Sequence, residues 1–226
     1  MSQSPLPDDF YQKRDDYYQG TRPELLPFFP VSAKTVLDVG CGEGRFAKQL
    51  KDMHGATVWG VDISDESIAV ANTLLDKAFV ADVTASLDSL PDNYFDVIYF
   101  NDVLEHMIDP YTLLSNIQSK LTTQGKVIAS IPNMRHFRVL WKLLAKKDFQ
   151  YENAGVMDET HLRFFTKISM GRMFSEAGYQ NVEVTPISKS RSFRPKFFKL
   201  FTLGLIGSDI SYPQFVVTGN KPGTVA

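Results

Sequence analysis

The chain has 226 residues, of which 43% are hydrophobic and 22% charged, and its net charge is -2 at pH 7. This composition is ordinary for a globular protein with a well-buried core, and it excludes a strongly basic chain that binds nucleic acid through its overall charge. No stretch approaches the roughly 18 to 20 apolar residues of a membrane span, and no secretory signal is expected. The single cysteine, Cys41, excludes an intramolecular disulfide and fits a reducing, cytoplasmic setting.

The first half of the chain alternates between two kinds of segment. An N-terminal helical cap is expected over residues 1–29, where aromatic and leucine side chains follow a polar arm. Short apolar runs then predict strands over 35–39, 57–61, 78–81, 95–100 and 125–131. Helical spacing of apolar residues predicts helices over 46–51, 65–75 and 111–121. Such alternation is typical of parallel βαβ units with helices on both faces of one sheet.

Two insertions interrupt this alternation in the second half. They are predicted over 133–165, which begins with a helix at 134–147, and over 188–213. The remaining elements are a helix at 167–177, followed by Gly178 as its cap, and strands at 181–187 and 214–219. We predict one domain over 1–226, with both insertions on the substrate side.

A glycine-rich loop follows the first predicted strand. Gly40, Gly42 and Gly44 have the spacing G-x-G-x-G, which differs from the G-x-G-x-x-G of dinucleotide sites. Glycine permits positive φ and close approach of the backbone to a ligand. The helix that follows offers its N-terminus to a carboxylate or phosphate.

Three carboxylates stand at the ends of the first three predicted strands, where ligands bind in parallel sheets. Asp38 is suited to a cationic amino group, Asp62 to both hydroxyls of a ribose, and Asp82 to an adenine amino group. Two alternatives are a tight turn with helix-capping aspartates and a site for NAD, whose pyrophosphate needs the glycine spacing that is missing here.

These motifs resemble those of class I S-adenosylmethionine-dependent methyltransferases. Residues 36–46 resemble the first motif of that family, 60–64 the second, 81–83 the third, and 95–106 the fourth. The resemblance implies an α/β fold: a Rossmann-like seven-stranded sheet with helices on both faces and an antiparallel last strand. It also implies S-adenosyl-L-methionine as cofactor, bound by Tyr18, Arg22, Asp38, Gly40, Cys41, Gly42, Gly44, Asp62, Ile63, Asp82, Val83 and Asn101.

Tyr18 and Arg22 lie upstream, where many members of the family place a helix that closes over the cofactor. Arg22 would pair with the methionine carboxylate. The alternative is an ordinary surface arginine on a docked helix.

The residues that follow the fourth predicted strand are candidates for catalysis. His106 is the expected general base, since its reference pKa is about 6.5, and Glu105 would orient it. The alternative is a histidine that orders the loop or contacts the cofactor. Asp102, Glu105 and His106 also resemble the Glu-x-x-Glu-His metal site of ubiquinone-pathway and small-RNA 2′-O-methyltransferases, with His161 as a further ligand. Mg²⁺ or Mn²⁺ would suit these ligands, but the sequence does not favour a metal.

The acceptor is suggested by charge and by a second resemblance. Residues 135–148 hold five basic residues and one acid, and residues 189–199 hold five basic residues and no acid. This charge favours an anionic small molecule, phosphorylated or lipid-linked, over nucleic acid. The phenylalanines of 188–213 indicate either an interfacial helix in peripheral contact with a membrane or a cap packed on the domain.

Residues 130–136 and 158–166 resemble methyltransferases of surface-polysaccharide and glycan pathways. That resemblance implies a sugar-like acceptor lined by His136, Arg138, His161 and Arg163. We therefore expect methyl transfer to a small anionic sugar-like acceptor, with O-methylation favoured. The alternatives are N-methylation of an amino sugar and a cofactor-binding regulator without catalysis.

Overall fold

A seven-stranded sheet organises the computed structural model, which describes residues 21–188 and 207–223. Its strands are β1 (Thr35–Val39), β2 (Thr57–Asp62), β3 (Lys77–Val80), β4 (Phe95–Asn101), β5 (Leu121–Pro132), β6 (Gln180–Ile187) and β7 (Gln214–Asn220). The spatial order is β3-β2-β1-β4-β5-β7-β6. β1 to β5 pair in parallel, whereas β7 runs antiparallel to both β5 and β6. The predicted sheet with an antiparallel last strand is confirmed.

Helices cover both faces of this sheet, as predicted. They are α1 (Arg45–His54), α2 (Asp65–Leu74), α3 (Pro110–Asn116), α4 (Phe137–Ala145) and α5 (Lys167–Glu176). α1 and α2 bury their apolar side chains in one core cluster, and α3 and α5 bury theirs in a second cluster. No helix among residues 21–188 and 207–223 is long and apolar enough to cross a membrane.

Helix ends follow local sequence signals. Ser64 caps α2 by accepting a hydrogen bond from the backbone of Ser67 at 3.2 Å. Thr166 and Ser169 form a reciprocal capping box at the start of α5. Gly178, just beyond α5, has a φ of 96°, which supports its predicted role at that helix end.

Two neighbouring predicted boundaries are wrong. The helix expected over 111–121 ends earlier, since α3 stops at Asn116 and a 3-10 segment covers Ile117–Lys120. β5 already begins at Leu121, four residues before the expected position. The reason is a long-range pairing of Leu121 with Phe95, before the register shift in β4, that local periodicity does not reveal.

The first insertion, residues 133–165, packs against the loop that follows β4. At its two ends, the Met134 amide donates to the Phe165 carbonyl at 2.8 Å. Near its end, the amides of Leu162 and Arg163 both donate to the Glu105 carbonyl at 2.9 Å. The insertion therefore contributes directly to the edge of the sheet where β4 and β5 end. Most of the second predicted insertion, residues 189–206, lies outside the described residues.

Candidate active site

The loop after β1 has the backbone geometry that its glycines predict. Gly40, Gly42 and Gly44 all have positive φ, at 70°, 53° and 75°. The Gly40 amide donates to the Val61 carbonyl at 2.8 Å, which ties the loop to β2. A Cβ on Gly40 would lie 2.5 Å from Cγ2 of Val103, so this position excludes any side chain.

Asp62 at the end of β2 organises this loop. Its Oδ2 accepts from the Gly42 amide at 2.9 Å, and its Oδ1 accepts from the Ser64 amide at 3.0 Å. Burial raises the pKa of Asp62, and these backbone hydrogen bonds oppose that shift. Because each carboxylate oxygen has a second lone pair, the side chain still fits a ribose diol.

The other predicted contacts near β2 and β3 differ in exposure. Cys41 is buried and packs against Gly60. A Cβ added to Gly60 would lie only 2.6 Å from the Sγ of Cys41. Ile63 is exposed, whereas Val83 is buried. Asp82 is exposed, and its Oδ1 accepts from the Thr84 amide at 2.8 Å.

Asp38 at the end of β1 is a buried carboxyl group that fits a cation. Burial and the neighbouring Asp62 raise its pKa to about 8. Asn101 donates to Oδ1 of Asp38 at 3.4 Å. The Oδ1 of Asn101 and the hydroxyl of Tyr99 are buried and have no hydrogen-bond partner within residues 21–188 and 207–223. An ammonium group would satisfy these acceptors, so the residues present fit the amino group of S-adenosylmethionine.

Arg22 joins the ends of three strands. Its guanidinium contacts the carboxylate of Asp102 and donates to Oγ of Ser130 at 3.3 Å and to Oε1 of Gln214 at 3.2 Å. Glu24 also pairs with it at 2.7 Å. Burial opposes the charged form, but Asp102 and Glu24 together raise the pKa of Arg22. Arg22 is thus a fixed positive charge beside the predicted position of the methionine carboxylate. Tyr18, its predicted companion, lies outside the described residues.

His106 lies in a 3-10 turn, Leu104–His106, directly after β4. Its Nδ1 is 2.9 Å from the carbonyl oxygen of Thr160. Since a carbonyl oxygen only accepts, Nδ1 carries the proton in this contact and Nε2 carries the lone pair. The ring centroid of His106 is 4.7 Å from that of His161. The imidazole is therefore oriented by the first insertion.

Glu105, His106 and His161 form one cluster across two segments of the chain. Their potential ligand atoms all lie within 4.8 Å of one another. Nδ1 of His161 is 3.2 Å from the Val156 carbonyl, and its Nε2 is 3.9 Å from Oε1 of Glu105, whose exposed fraction is 1%. The cluster has the chemistry to accept and pass a proton or to hold a divalent ion.

Asp102 does not join this cluster, although the sequence suggests it as a ligand. Its carboxylate instead contacts Arg22 and the side-chain amide of Gln214. The backbone of Asp102 has a φ of 55° directly after β4, and its amide donates to the Ser130 carbonyl at 3.2 Å. Among residues 21–188 and 207–223, the candidate ion site thus consists of Glu105, His106 and His161.

The four predicted acceptor residues differ in their surroundings. His161 contacts His106, whereas Arg138 is exposed on α4 and Arg163 is exposed with its Nε donating to the Ile108 carbonyl at 3.2 Å. His136 is buried, and burial, together with the charge of Arg138, lowers its pKa to about 4. His136 is therefore neutral at physiological pH.

Four residues in this region escape the sequence predictions. They orient His106 or complete the surroundings of Arg22 and Asp38, and they are Thr160, Ser130, Gln214 and Tyr99. Burial and the nearby Asp38 raise the pKa of Tyr99. A tyrosine inside an otherwise apolar strand is a usable signal in the sequence. The other three depend on contacts between distant segments.

Known proteins with similar sequences identify the family of this chain. The sequence profile of a family described as a methyltransferase domain matches residues 11–184. The chain belongs to this methyltransferase family. It is 31% identical over 164 residues to a ubiquinone biosynthesis O-methyltransferase of Thiobacillus denitrificans, a match that covers 69% of this chain and 68% of that protein. It is also 34% identical over 103 residues to phosphoethanolamine N-methyltransferase 2 of Caenorhabditis elegans, which covers 43% of this chain and 24% of that protein.

Solved structures agree with the fold of this methyltransferase. An S-adenosylmethionine-dependent methyltransferase from Archaeoglobus fulgidus superposes with a TM-score of 0.68 at 20% identity, covering 88% of this chain and 90% of the other. Phosphoethanolamine N-methyltransferase 2 of Haemonchus contortus, solved with S-adenosyl-L-methionine, gives a TM-score of 0.59 at 20% identity, covering 88% and 51%. The chain is an S-adenosylmethionine-dependent methyltransferase, and the predicted cofactor is confirmed.

Proposed function

We propose that this methyltransferase transfers the methyl group to a hydroxyl oxygen of a small anionic acceptor, and that His106 is its general base. One observation carries the proposal: the Thr160 carbonyl fixes the proton of His106 on Nδ1, at 2.9 Å, so that Nε2 is the basic atom. A positioned base contributes roughly 10²- to 10⁴-fold to a rate. A sugar hydroxyl needs such a base, because it is far less acidic than a phenol.

Different residues of the chain bind the cofactor and accept the proton. Bound S-adenosylmethionine supplies an activated methyl group on a sulfonium sulfur. Asp38 and Asn101 would hold its amino group, Asp62 would hold its ribose, and the glycine loop would let the backbone approach it. His106 would take the proton of the acceptor hydroxyl at Nε2 during methyl transfer. The buried Glu105, within 4.8 Å of His106 and paired with His161, would stabilise the imidazolium that results.

An anionic sugar-like acceptor is supported by the positive charge of the first insertion. Arg138, Lys146 and Lys147 of the first insertion are exposed, whereas Arg135 pairs with Asp209 at 2.6 Å and Lys142 pairs with Glu152. Two relatives each support one part of the proposal: one is named an O-methyltransferase, and the other, an N-methyltransferase, is named for phosphoethanolamine, which carries a phosphate. The alternatives are N-methylation of an amino sugar and a cofactor-binding regulator.

The test is formation of S-adenosylhomocysteine with probes that offer different acceptor groups and charges. We expect turnover of glucose 6-phosphate or 3,4-dihydroxybenzoate, which offer hydroxyls and a negative charge, above that of glucosamine. His106→Gln is expected to lower kcat by about 100-fold or more with unchanged cofactor affinity. His54→Gln on α1 is the control.

Three results would contradict this proposal. Methylation confined to the amino group of glucosamine 6-phosphate would favour the N-methyltransferase. Full turnover by His106→Gln would remove His106 as the base. Cofactor binding without turnover of any probe would favour the regulator.

A second candidate role for the same cluster is to hold Mg²⁺ or Mn²⁺. The observation in its favour is that both imidazoles place Nδ1 beside a backbone carbonyl, an arrangement typical of metal-ligating histidines. Dialysis against EDTA separates the two roles. A metal role predicts loss of turnover and its recovery on addition of Mg²⁺ or Mn²⁺, whereas the base role predicts no change.

A further inference from the structure

Exposed apolar side chains are concentrated in one segment of the first insertion. Of the thirteen large hydrophobic residues exposed within the described part of the chain, five lie between residues 141 and 151. These are Trp141, Leu143, Leu144, Phe149 and Tyr151, which we call the 141–151 surface. Single exposed apolar residues are ordinary, but a contiguous group marks a binding surface.

The amphipathic arrangement of α4 explains why this surface faces outward. Phe137 and Val139 are buried and attach the helix to the domain, whereas Trp141 is 50% exposed and Leu144 is 63% exposed. Two of the aromatic members also pack on each other and on Phe164 in the same insertion. The ring centroid of Phe149 lies 5.7 Å from that of Tyr151 and 6.0 Å from that of Phe164. The part of the surface formed by Phe149 and Tyr151 is thus pre-organised.

Basic residues surround these apolar side chains. Arg138, Lys146 and Lys147 are exposed on the same segment, and Asp148 is the only acid between residues 138 and 148. Tryptophan, leucine and phenylalanine flanked by lysine and arginine match the interface of an anionic bilayer, where the rings enter the headgroup region and the cations meet lipid charge.

We propose that the 141–151 surface docks this methyltransferase on an anionic lipid bilayer. This surface is distinct from the interfacial helix that the sequence suggests over 188–213, most of which lies outside the described residues. The same insertion supplies Thr160 and His161 to the active site. Docking would therefore hold the acceptor side of the site next to the membrane, where a lipid-linked acceptor resides. The proposal goes beyond the chemistry assigned to His106 and does not depend on it.

Sedimentation with vesicles tests this binding. The full chain is mixed with vesicles of 70% phosphatidylcholine and 30% phosphatidylglycerol at low salt. We expect binding at least about tenfold stronger than to pure phosphatidylcholine, and a further decline as salt is added. The double variant Trp141→Ala/Leu144→Ala should bind at least about tenfold more weakly. Lys146→Glu/Lys147→Glu should lose most of the dependence on phosphatidylglycerol.

The matched control is an apolar residue that is at least as exposed but lies outside the 141–151 surface. Ile168 on α5 is 73% exposed, and Ile168→Ala should bind vesicles as the unchanged protein does. Thermal melting and S-adenosylmethionine affinity of every variant show that the fold is intact. Since binding rather than turnover is measured, a wrong assignment of His106 would leave this result unaffected.

Four outcomes would overturn the proposal. The first is no binding to the anionic vesicles, and the second is equal binding by the Trp141/Leu144 variant. The third is a dimer in solution that the same variant dissociates, because a second copy would then cover the surface. The fourth concerns the fluorescence of Trp141, measured in the Trp59→Phe variant. If its emission is already blue-shifted without vesicles and vesicles do not change it, another part of the chain covers the surface.

Discussion

The cofactor region at the ends of β1 and β2 and the acceptor region around His106 are built from different contacts. In the cofactor region, the glycine loop is fixed by the motif that follows it in the chain, since the Gly42 and Ser64 amides, 20 and 2 residues away, both donate to Asp62. In the acceptor region, the key side chains come from segments more than fifty residues apart, as His106 and Thr160 do.

This difference separates two ways of fixing a site. The cofactor region relies on backbone amides and buried carboxylates. The acceptor region depends on how the first insertion packs against the loop that follows β4. We therefore expect substitutions to separate cofactor affinity from catalysis.

The largest effect is expected at Asp38. Because its buried carboxylate is the charge that fits the amino group of the cofactor, Asp38→Ala should raise the Kd for S-adenosylmethionine by about 100-fold or more. Calorimetric titration measures this affinity. Asp52→Ala, an exposed aspartate on α1, serves as the control and should change nothing. A change below about fivefold for Asp38→Ala would exclude that contact.

The next largest effect is expected at Glu105, where a substitution should impair the acceptor region but not the cofactor region. Glu105→Gln keeps the shape of the side chain but removes the charge behind His161, so kcat should fall by roughly 10- to 100-fold. The Kd for S-adenosylmethionine should stay within about twofold. Single-turnover rates and calorimetry measure both quantities on one sample. A parallel loss of affinity would mean that Glu105 supports the fold of the cofactor region as well.

Cofactor affinity should depend on pH. Asp38 has a pKa of about 8 in the cofactor-free protein, so a cationic amino group that binds the carboxylate displaces its proton. Between pH 5.5 and 7.5, where the amino group of the cofactor is charged, affinity should rise with pH by up to about tenfold per unit. Titrations in buffers of different ionisation enthalpy should show proton release, and Asp38→Asn should abolish it.

The raised pKa of Asp38 also predicts that the stability of the cofactor-free protein depends on pH. Since the folded protein holds the Asp38 proton more tightly than the unfolded chain does, this group stabilises the fold at low pH. That contribution declines as pH rises from about 4 to about 8. Thermal melting of the cofactor-free protein and of Asp38→Asn should differ in this slope. Parallel curves would contradict the assignment.

The smallest effect is expected at Arg22. Lysine cannot reproduce the contacts of its guanidinium with Asp102, Ser130 and Gln214, so Arg22→Lys should lower the free energy of unfolding by about 1–2 kcal/mol. The Kd for the cofactor should rise less than about tenfold. Arg45→Lys is a control, because Arg45 pairs only with nearby Glu43 on an exposed surface among the contacts described.

The sequence predicts the fold and the strand-end positions of Asp38 and Asp62 for a physical reason. Glycine spacing, strand-end carboxylates and short apolar runs are local signals, and parallel pairing brings the strand ends together. The wrong start of β5 shows the limit, because its pairing of Leu121 with Phe95 is set by tertiary contact. His106 and Glu105 are predicted because they follow β4 directly.

The acceptor region is harder to predict, because its geometry depends on how an insertion folds back. The sequence suggests Asp102 as a companion of His106, but Arg22 attracts its carboxylate instead. Thr160 contacts His106 through its backbone carbonyl, which no residue preference encodes. Arg138 and Arg163 illustrate the same limit, since similar charges in one insertion lie in different surroundings.

A crystal structure with S-adenosylhomocysteine tests the division between these regions most directly. Our account predicts hydrogen bonds of about 2.7–3.2 Å from the amino group to Asp38 and Asn101 and from the ribose hydroxyls to Asp62. It also predicts that Nε2 of His106 borders the space in front of the sulfur. A sulfur atom that faces away from His106, or an amino group bound elsewhere than at Asp38, would contradict it.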